Sequence, residues 1–302
     1  MNTKSGFVSI IGLPNVGKST LLNAMLKQKL SITTNKPQTT RKRVMGILSE
    51  ENYQIIFLDT PGILNPEYLL QEKMVGFIEK SVKDSDIILF LLDISTDKEG
   101  SRTLKDEAVR QILFESKAKK ILVINKIDLS QQNTVMHFIS VIENSYKFDK
   151  IIPVSALKNF SITGLIDSII DMLPEHPKYY PDDQLTDDPE RFFVSEIIRE
   201  KIFAYYQDEV PYSTEVVIDE FKEVEGRKDF ISASIVVERD SQKPIIIGKG
   251  GDKIKKLGKI ARTDIEDFLQ RPVYLELRVK VRSKWRSNPN MLKNFGYNTG
   301  DE

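Results

Sequence analysis

Residues 12–20 read GLPNVGKST, which puts two glycines, a lysine and two hydroxyls into nine positions. Phe7, Val8, Ser9, Ile10 and Ile11 precede this stretch as an apolar run of strand length, and Leu21, Leu22, Met25 and Leu26 follow it at helical spacing. A turn between strand and helix with the pattern G-x-x-x-x-G-K-S/T suits a phosphate cradle. Gly12, Pro14, Asn15, Val16, Gly17, Lys18, Ser19 and Thr20 are its expected wall. Backbone N–H groups turn inward there, and the helix N-terminus adds partial positive charge. Lys18 is expected to reach the β and γ phosphates, and Ser19 to ligate Mg²⁺. Taken alone, the stretch is also readable as a glycine-rich turn with a chance lysine, and it implies phosphate without naming a base.

Three further stretches narrow the chemistry. YQIIFLDTPG (Tyr53 to Gly62) is an apolar run ending in a carboxylate, so a second strand edge delivers Asp59 toward Mg²⁺ and leaves the Gly62 N–H for a γ-phosphate. LVINKID (Leu122 to Asp128) speaks to the base. Guanine offers two adjacent donors on its Watson–Crick edge, which Asp128 can accept as a fork; adenine lacks that pair. Asn125 can serve the Hoogsteen side, and the Lys126 stem can lie over the purine plane. In VSALKN (Val154 to Asn159), Ser155 and Ala156 end another apolar run, and the Ala156 N–H is expected to donate to the guanine O6.

The elements that must position these residues follow from length and patterning. With 302 residues the chain is long enough for two ordinary domains. From Phe7 to about Leu173, short β-rich runs (Tyr53 to Leu58, Ile87 to Leu92, Ile121 to Ile124, Ile151 to Val154) alternate with helix-like segments. Near-continuous apolar strands imply burial on both faces, hence an α/β domain with a mostly parallel, doubly wound sheet whose strand ends face ligand. The segment Leu173 to Glu190 holds four prolines and six acids and marks a boundary. The expected division is 1–174, a linker over 175–190, and a smaller α+β domain over 191–302. Residues 192–203 place Phe192, Phe193, Ile197, Ile198, Ile202 and Phe203 on one helix face, and β-like runs follow at Thr214 to Ile218 and Phe230 to Val237.

Composition excludes several classes. With no cysteine and only His137 and His176, disulfides, thiolate zinc sites and imidazole cages are ruled out. The N-terminal residues lack the pattern of a signal peptide and no apolar run reaches membrane-spanning length, so a cytoplasmic protein is expected. The zero net charge hides segregation: residues 175–225 carry 15 acidic against 5 basic side chains, and residues 241–290 carry 13 basic against 5 acidic. A basic block of that size can meet phosphate.

That block contains PIIIGKGGDKIKKLGKIARTDIEDFL (Pro244 to Leu269). Gly248, Lys249, Gly250 and Gly251 form a G-x-x-G turn whose bare backbone can approach a nucleic-acid strand. Ile245, Ile246, Ile247, Ile254 and Leu257 are expected to flank it as core. Lys253 and Lys256, with Lys249, Lys255 and Lys259, would make binding salt-dependent. Lys284, Trp285 and Arg286 suggest either a stacking patch or, as is more usual for a single Trp, packing.

The four motifs of the first half, in this order, resemble the Ras-like GTPase superfamily over roughly residues 5–173. The resemblance implies a switch threonine in KPQTTRKRVMGIL that binds Mg²⁺ only when a γ-phosphate is present. Thr40 is chosen over Thr39, and Lys18, Thr40, Asp59 and Gly62 are the residues expected to act on the reacting phosphate. Ras-type sites carry a water-orienting glutamine after the DxxG glycine. Here Ile63 stands in that place, so slow intrinsic turnover is expected. Asn15 matches similar GTPases that use K⁺ in place of an arginine finger, and is the expected K⁺ ligand.

The G-x-x-G segment, the β-like runs before it and Val273 to Val281 after it resemble a type II KH domain. A GTPase domain followed by such a domain resembles the bacterial Era family of GTPases across nearly the whole chain, down to PQTTR, SEIIREK, VERDSQKPIIIGKGGDKIK and LKNFGY. The resemblance implies GTP and GDP as ligands, a KH domain on the single-stranded 3′ end of 16S ribosomal RNA, and a role in 30S subunit assembly. It also implies peripheral association with the inner face of the cell membrane. No DNA partner and a monomeric state are expected. Two other readings stand beside the switch: an RNA-binding scaffold in which nucleotide is structural and turnover incidental, and a P-loop phosphotransferase, for which no acceptor site is evident.

Overall fold

The computed structural model describes residues 3–298. It divides into two units, one of residues up to Glu67 with Gln71–Asp187, the other of Tyr68–Leu70 with residues from Asp188 onward.

The first unit runs β1 (Lys4–Gly12), α1 (Lys18–Leu26), β2 (Val44–Glu50), β3 (Tyr53–Asp59), α2 (Leu69–Lys83, from Gln71 on), β4 (Ile87–Asp93), α3 (Ser101–Lys105), α4 (Glu107–Glu115), β5 (Lys119–Asn125), α5 (Gln132–Ser145), β6 (Lys150–Pro153) and α6 (Ile162–Met172). Its six strands lie in the order β2-β3-β1-β4-β5-β6. Only β2 is antiparallel to its neighbour. The doubly wound sheet expected from the apolar runs is present. All seven residues of β4 are buried. Their alternation splits them between two cores: Ile87, Leu89 and Leu91 join Leu21, Leu22, Leu165 and Ile169 on one face, while Ile88, Phe90 and Leu92 join Ile78, Leu113, Phe138 and Ile142 on the other. Each fully buried Leu, Ile or Phe adds about 1.5–3 kcal/mol of transfer free energy. From β1 the chain continues first to β2 and β3 on one side, then to β4 on the other. The carboxyl end of β1 is therefore the topological switch point, where a ligand crevice opens.

The proline-rich acidic segment expected as a linker is, as far as Asp187, packed along the first unit. Ser5 N–H donates to Pro174 O, and Ile47 N–H donates to Leu185 O at 2.8 Å. Thr186 Oγ1 donates to Met45 O. Gln54, fully buried, accepts both the Tyr179 and Tyr180 N–H groups at Oε1 and returns a bond from Nε2 to Tyr180 O. The segment thus covers the exposed edge of β2.

The second unit runs α7 (Glu190–Tyr205), β7 (Thr214–Lys222), β8 (Asp229–Val237), α8 (Gln242–Ile247), α9 (Asp252–Leu269), β9 (Val273–Val281) and α10 (Pro289–Asn294). Its sheet has the order β7-β8-β9, with β7 antiparallel and β9 parallel to β8. This is the type II KH arrangement, with the additional helix and strand at the N-terminal side. On α9, Leu257, Ala261, Ile265 and Leu269 recur every fourth residue and pack against Ile197, Ile198 and Ile202 of α7 and the inner sheet face. Phe192, expected on the buried face of α7, is only partly buried; Val194 is fully buried in the core. Among the described residues, no helix is long and apolar enough to cross a membrane.

Candidate nucleotide site and nucleic-acid interface

The turn after β1 has the backbone a phosphate cradle needs. Asn15 and Gly17 both hold positive φ, at 64° and 98°. A Cβ at Gly17 would lie 2.4 Å from Asn125 Nδ2, so space as well as conformation demands glycine. Gly12, Pro14, Asn15, Val16 and Gly17 lead into α1, whose first three residues are Lys18, Ser19 and Thr20. The buried Lys18 ammonium donates to Gly12 O at 3.2 Å and Leu13 O at 3.0 Å. Burial lowers its pKa to about 8, against an opposing pull from the Asp59 carboxylate.

Asp59, the last residue of β3, is fully buried. Its Oδ2 accepts from Ser19 Oγ at 2.6 Å and from Ser31 Oγ at 3.0 Å. Burial raises its pKa, while the Ser19 bond, the Lys18 charge and the Ser31 bond oppose that rise. Ser19 Oγ also lies 3.0 Å from Thr40 Oγ1. Thr39 is turned the other way, bonded to Thr34 Oγ1 at 2.6 Å and Lys36 O at 2.7 Å within its own loop. Asp59 Oδ1 is buried and has no hydrogen-bond partner among the described residues. A buried carboxylate oxygen without a donor, beside two hydroxyls, fits a hard divalent cation. Among the described residues no group of three or more His, Cys, Asp or Glu could hold a metal. An ion here would therefore rely on Ser19, Thr40, Asp59 and a nucleotide's own oxygens, the ligation typical of Mg²⁺.

Gly62 abuts this centre: a Cβ added there would meet Pro14 N and Cα at 2.8 Å. Ile63 N–H donates to Gly12 O at 3.0 Å, tying the two loops together. The Ile63 side chain is buried in the core with Ile11, Ile78 and Val82, away from the cradle.

At the other end of the crevice, Asn125 bridges two loops. Its Nδ2 donates to Val16 O at 2.8 Å and its Oδ1 accepts the Ala156 N–H at 3.0 Å. One Nδ2 hydrogen remains for a base. The single Ala156 N–H expected to meet the guanine O6 is engaged by Asn125, so an O6 contact has to share or replace that bond. Asp128 is exposed, and its Oδ1 accepts Ser155 Oγ at 2.5 Å, which orients the carboxylate. Lys126 Nζ donates to Asn15 O at 2.8 Å and pairs with Asp93 Oδ2 at 2.7 Å. Together the cradle, the Thr40 loop, Gly62, Asn125, Lys126, Asp128 and Ala156 line one cavity of about 470 Å³, within the usual range for a small-molecule site. Two residues of this assembly, Ser31 and Asp93, lie outside the sequence motifs. Ser31 leaves no trace in sequence, whereas Asp93 ends an apolar strand just as Asp59 does.

In the second unit, Gly248–Gly251 join α8 to α9. Gly250 holds φ 61°, and a Cβ there would meet nothing within 4 Å, so its bare backbone faces open space. Lys249, Lys253, Lys255, Lys256 and Lys259 are exposed around it, and Lys256 Nζ lies 5.5 Å from the centre of the Tyr205 ring. Ile246 and Leu257 are buried as expected, but Ile245 is 42% exposed, because the short α8 turns only Gln242 and Ile246 inward. Trp285 is fully buried and donates its indole N–H to Ser213 O at 2.9 Å. Arg286 Nε donates to Glu238 Oε2 at 3.0 Å. These two are packing and pairing, not a stacking patch.

Comparison with known proteins agrees with both halves. A family model described as a 50S ribosome-binding GTPase matches residues 7–126, and a KH-domain model matches residues 209–286. GTPase Era of Geobacter sp. (strain M21) is 50% identical over 97% of this chain and 98% of its own length. GTPase Era of Clostridium botulinum (strain Langeland) is 47% identical over 97% and 98%. Among solved structures, Era in complex with MgGDPNP and nucleotides 1506–1542 of 16S ribosomal RNA is similar with a TM-score of 0.92 and 42% identity, covering 98% of this chain and 99% of that one. An Aquifex aeolicus Era variant bound to GDP and aluminium fluoride gives 0.89 and 40%, over 98% and 99%. End-to-end identity at this level, over a GTPase unit followed by a KH unit, makes the chain a member of the GTPase Era family.

Proposed function

We propose that this GTPase is a switch whose KH unit holds the single-stranded 3′ segment of 16S ribosomal RNA during assembly of the 30S subunit. The observation that carries the switch is the meeting of Ser19, Thr40 and Asp59, from three separate stretches of chain, through contacts of 3.0 and 2.6 Å. A loop tied to the nucleotide site through one hydroxyl can be ordered by triphosphate and released after hydrolysis.

Each residue then has a task. Lys18 leaves its two loop carbonyls for the β and γ phosphate oxygens, and Gly62 donates its N–H to the γ-phosphate. Ser19, Thr40 and Asp59 would hold Mg²⁺, which when bound neutralises charge on the phosphate oxygens. Asp128 accepts the two guanine donors, with Asn125, Lys126, Ser155 and Ala156 shaping the pocket around the base. With Ile63 buried, no side chain directly after Gly62 orients water, so intrinsic turnover is slow. Asn15 Nδ2 donates to Asn35 O at 3.2 Å, which sets its side chain against the switch loop. Asn15 with that loop's carbonyls would hold an activating K⁺; equal turnover in KCl and NaCl would refute this assignment.

The RNA assignment is supported by the open Gly250 backbone, the exposed lysines and the RNA-bound relative. Its partners being GTP and ribosomal RNA, a cytoplasmic location follows. Peripheral membrane contact and a monomeric state enter the proposal from the family resemblance alone, and vesicle flotation and light scattering test them. The decisive experiment for the switch compares affinity for a 16S 3′-end oligonucleotide with GDP and with a non-hydrolysable GTP analogue bound. The analogue-bound form is expected to bind more tightly. Equal affinities would leave an RNA scaffold with incidental turnover, since a ligand without differential affinity shifts nothing.

A further inference from the structure

We infer that Asp93 is a positioning residue for the base: its carboxylate fixes the Lys126 ammonium so that the lysine stem forms one wall of the guanine pocket. This rests on the assignment of that pocket to guanine. Asp93 closes β4 directly beside Asn125 of β5, with which it is in register. It is 5% exposed, and nothing in the nucleotide motifs calls for an acid there. Both of its oxygens are committed. Oδ1 accepts the Ser95 N–H at 2.9 Å and the Ser95 hydroxyl at 2.6 Å, which locks the carboxylate plane. Oδ2 takes the Lys126 ammonium at 2.7 Å.

Lys126 is correspondingly constrained at both ends. Its backbone sits at φ 63°, a left-handed conformation that residues with a side chain rarely adopt. Its ammonium is shared between Asp93 and Asn15 O, 2.8 Å away on the phosphate turn. The stem between these anchors is held along one wall of the cavity that Asp128 and Ala156 also line. A purine lying on that stem strips water from it, and a lysine charge losing water needs a counter-charge at hand. Asp93 supplies one from within the protein, before any ligand arrives. It also links the base end of the site to the phosphate end, because the same ammonium holds the Asn15 carbonyl. Without the carboxylate, the stem would regain its rotamers and the Asn15 turn would lose one anchor, and both losses fall on bound nucleotide.

The test is a double-mutant cycle read as the dissociation rate of a fluorescent GDP analogue from the full-length protein. Asp93→Asn is expected to raise that rate roughly tenfold or more, the loss typical of a charge-assisted bond. Lys126→Met keeps an unbranched apolar stem but removes the ammonium. In that background Asp93→Asn is expected to change the rate less than about twofold, because the interaction is already gone. An equal effect in both backgrounds would mean that Asp93 acts on the fold in general, and no effect in either would mean that it does nothing for the base; both overturn the inference. Should Asp93→Asn fail to fold, Ser95→Ala, which removes only the hydroxyl bond orienting the carboxylate, is expected to show a smaller rise with the same dependence on Lys126; a rise of equal size in Lys126→Met, or none, overturns it. Failure of the unaltered protein to bind GDP would instead remove the guanine assignment itself.

Discussion

Replacing Asn125 with alanine removes a side chain that sequence assigns to the base but that the structure also uses to join two loops. Asn125 is 2% exposed, its amide donating to Val16 O at 2.8 Å and accepting from Ala156 N–H at 3.0 Å. Both backbone partners belong to buried residues, so Asn125→Ala leaves one carbonyl and one amide without partners. At about 1–3 kcal/mol for each orphaned group, the first unit is expected to lose about 2–6 kcal/mol in the absence of nucleotide. For a unit of this size, about 2–4 °C per kcal/mol gives a fall in Tm of about 12 °C at mid-range. Calorimetry of nucleotide-free protein resolves this if the transition of the first unit is identified by its upward shift with GDP. Asp128→Asn is the control, because Asp128 is exposed and, among the described residues, hydrogen-bonded only to Ser155. An unchanged nucleotide-free Tm for Asn125→Ala would show that the bridge carries no load and refute the reasoning.

Other consequences follow from the same geometry. Lys18, with its pKa lowered to about 8 by burial, is half-protonated near pH 8 without ligand and regains its proton beside phosphate. GDP binding in EDTA should therefore take up about half a proton at pH 8, where the terminal phosphate of free GDP is already ionised; calorimetry in buffers of different ionisation enthalpy reads this, and proton release at pH 8 would contradict it. By the same linkage the unfolded chain binds the extra proton between pH 8 and 10.5, so the Lys18 contribution makes the nucleotide-free fold more stable as pH rises through that window. Asp128→Asn is expected to weaken GDP and favour XDP, because the double acceptance is lost; unchanged guanine preference in a competition assay would show the carboxylate to be misassigned. Lys249→Asp should weaken oligonucleotide binding and flatten the slope of log K against log salt by about 0.7, leaving GTP affinity intact, and an unaltered slope would remove Lys249 from the RNA path.

The legible parts of this molecule are those whose chemistry is local. GLPNVGKS needs its glycines, lysine and hydroxyl within one turn, so strand, turn and helix can be read together from a dozen residues. The all-apolar β4 run likewise announces a strand covered on both faces. What sequence concealed depends on partners distant in the chain. Ser31 reaches Asp59, and Gln54 reaches Tyr179 and Tyr180, across separations that no periodicity encodes. Prolines at 174, 177 and 181 correctly deny regular structure to residues 175–187 but do not say that the segment lies along the edge of β2. Asp93 shares the strand-ending pattern of Asp59, but its partner Lys126 comes from the next strand's end, which no local pattern encodes. Ile245 departs from its expected core place because three consecutive isoleucines cannot all face inward on a short helix.

Every role assigned above requires that one crevice in the first unit hold a guanine nucleotide with its phosphates on the β1–α1 turn. Calorimetric titration of the purified protein with GTP and with GDP in MgCl₂, beside ATP as competitor, reads this. Saturable binding of both guanine nucleotides at one site per chain, not displaced by ATP, is the predicted result; no heat with either, or displacement by ATP as effective as by GTP, would contradict it.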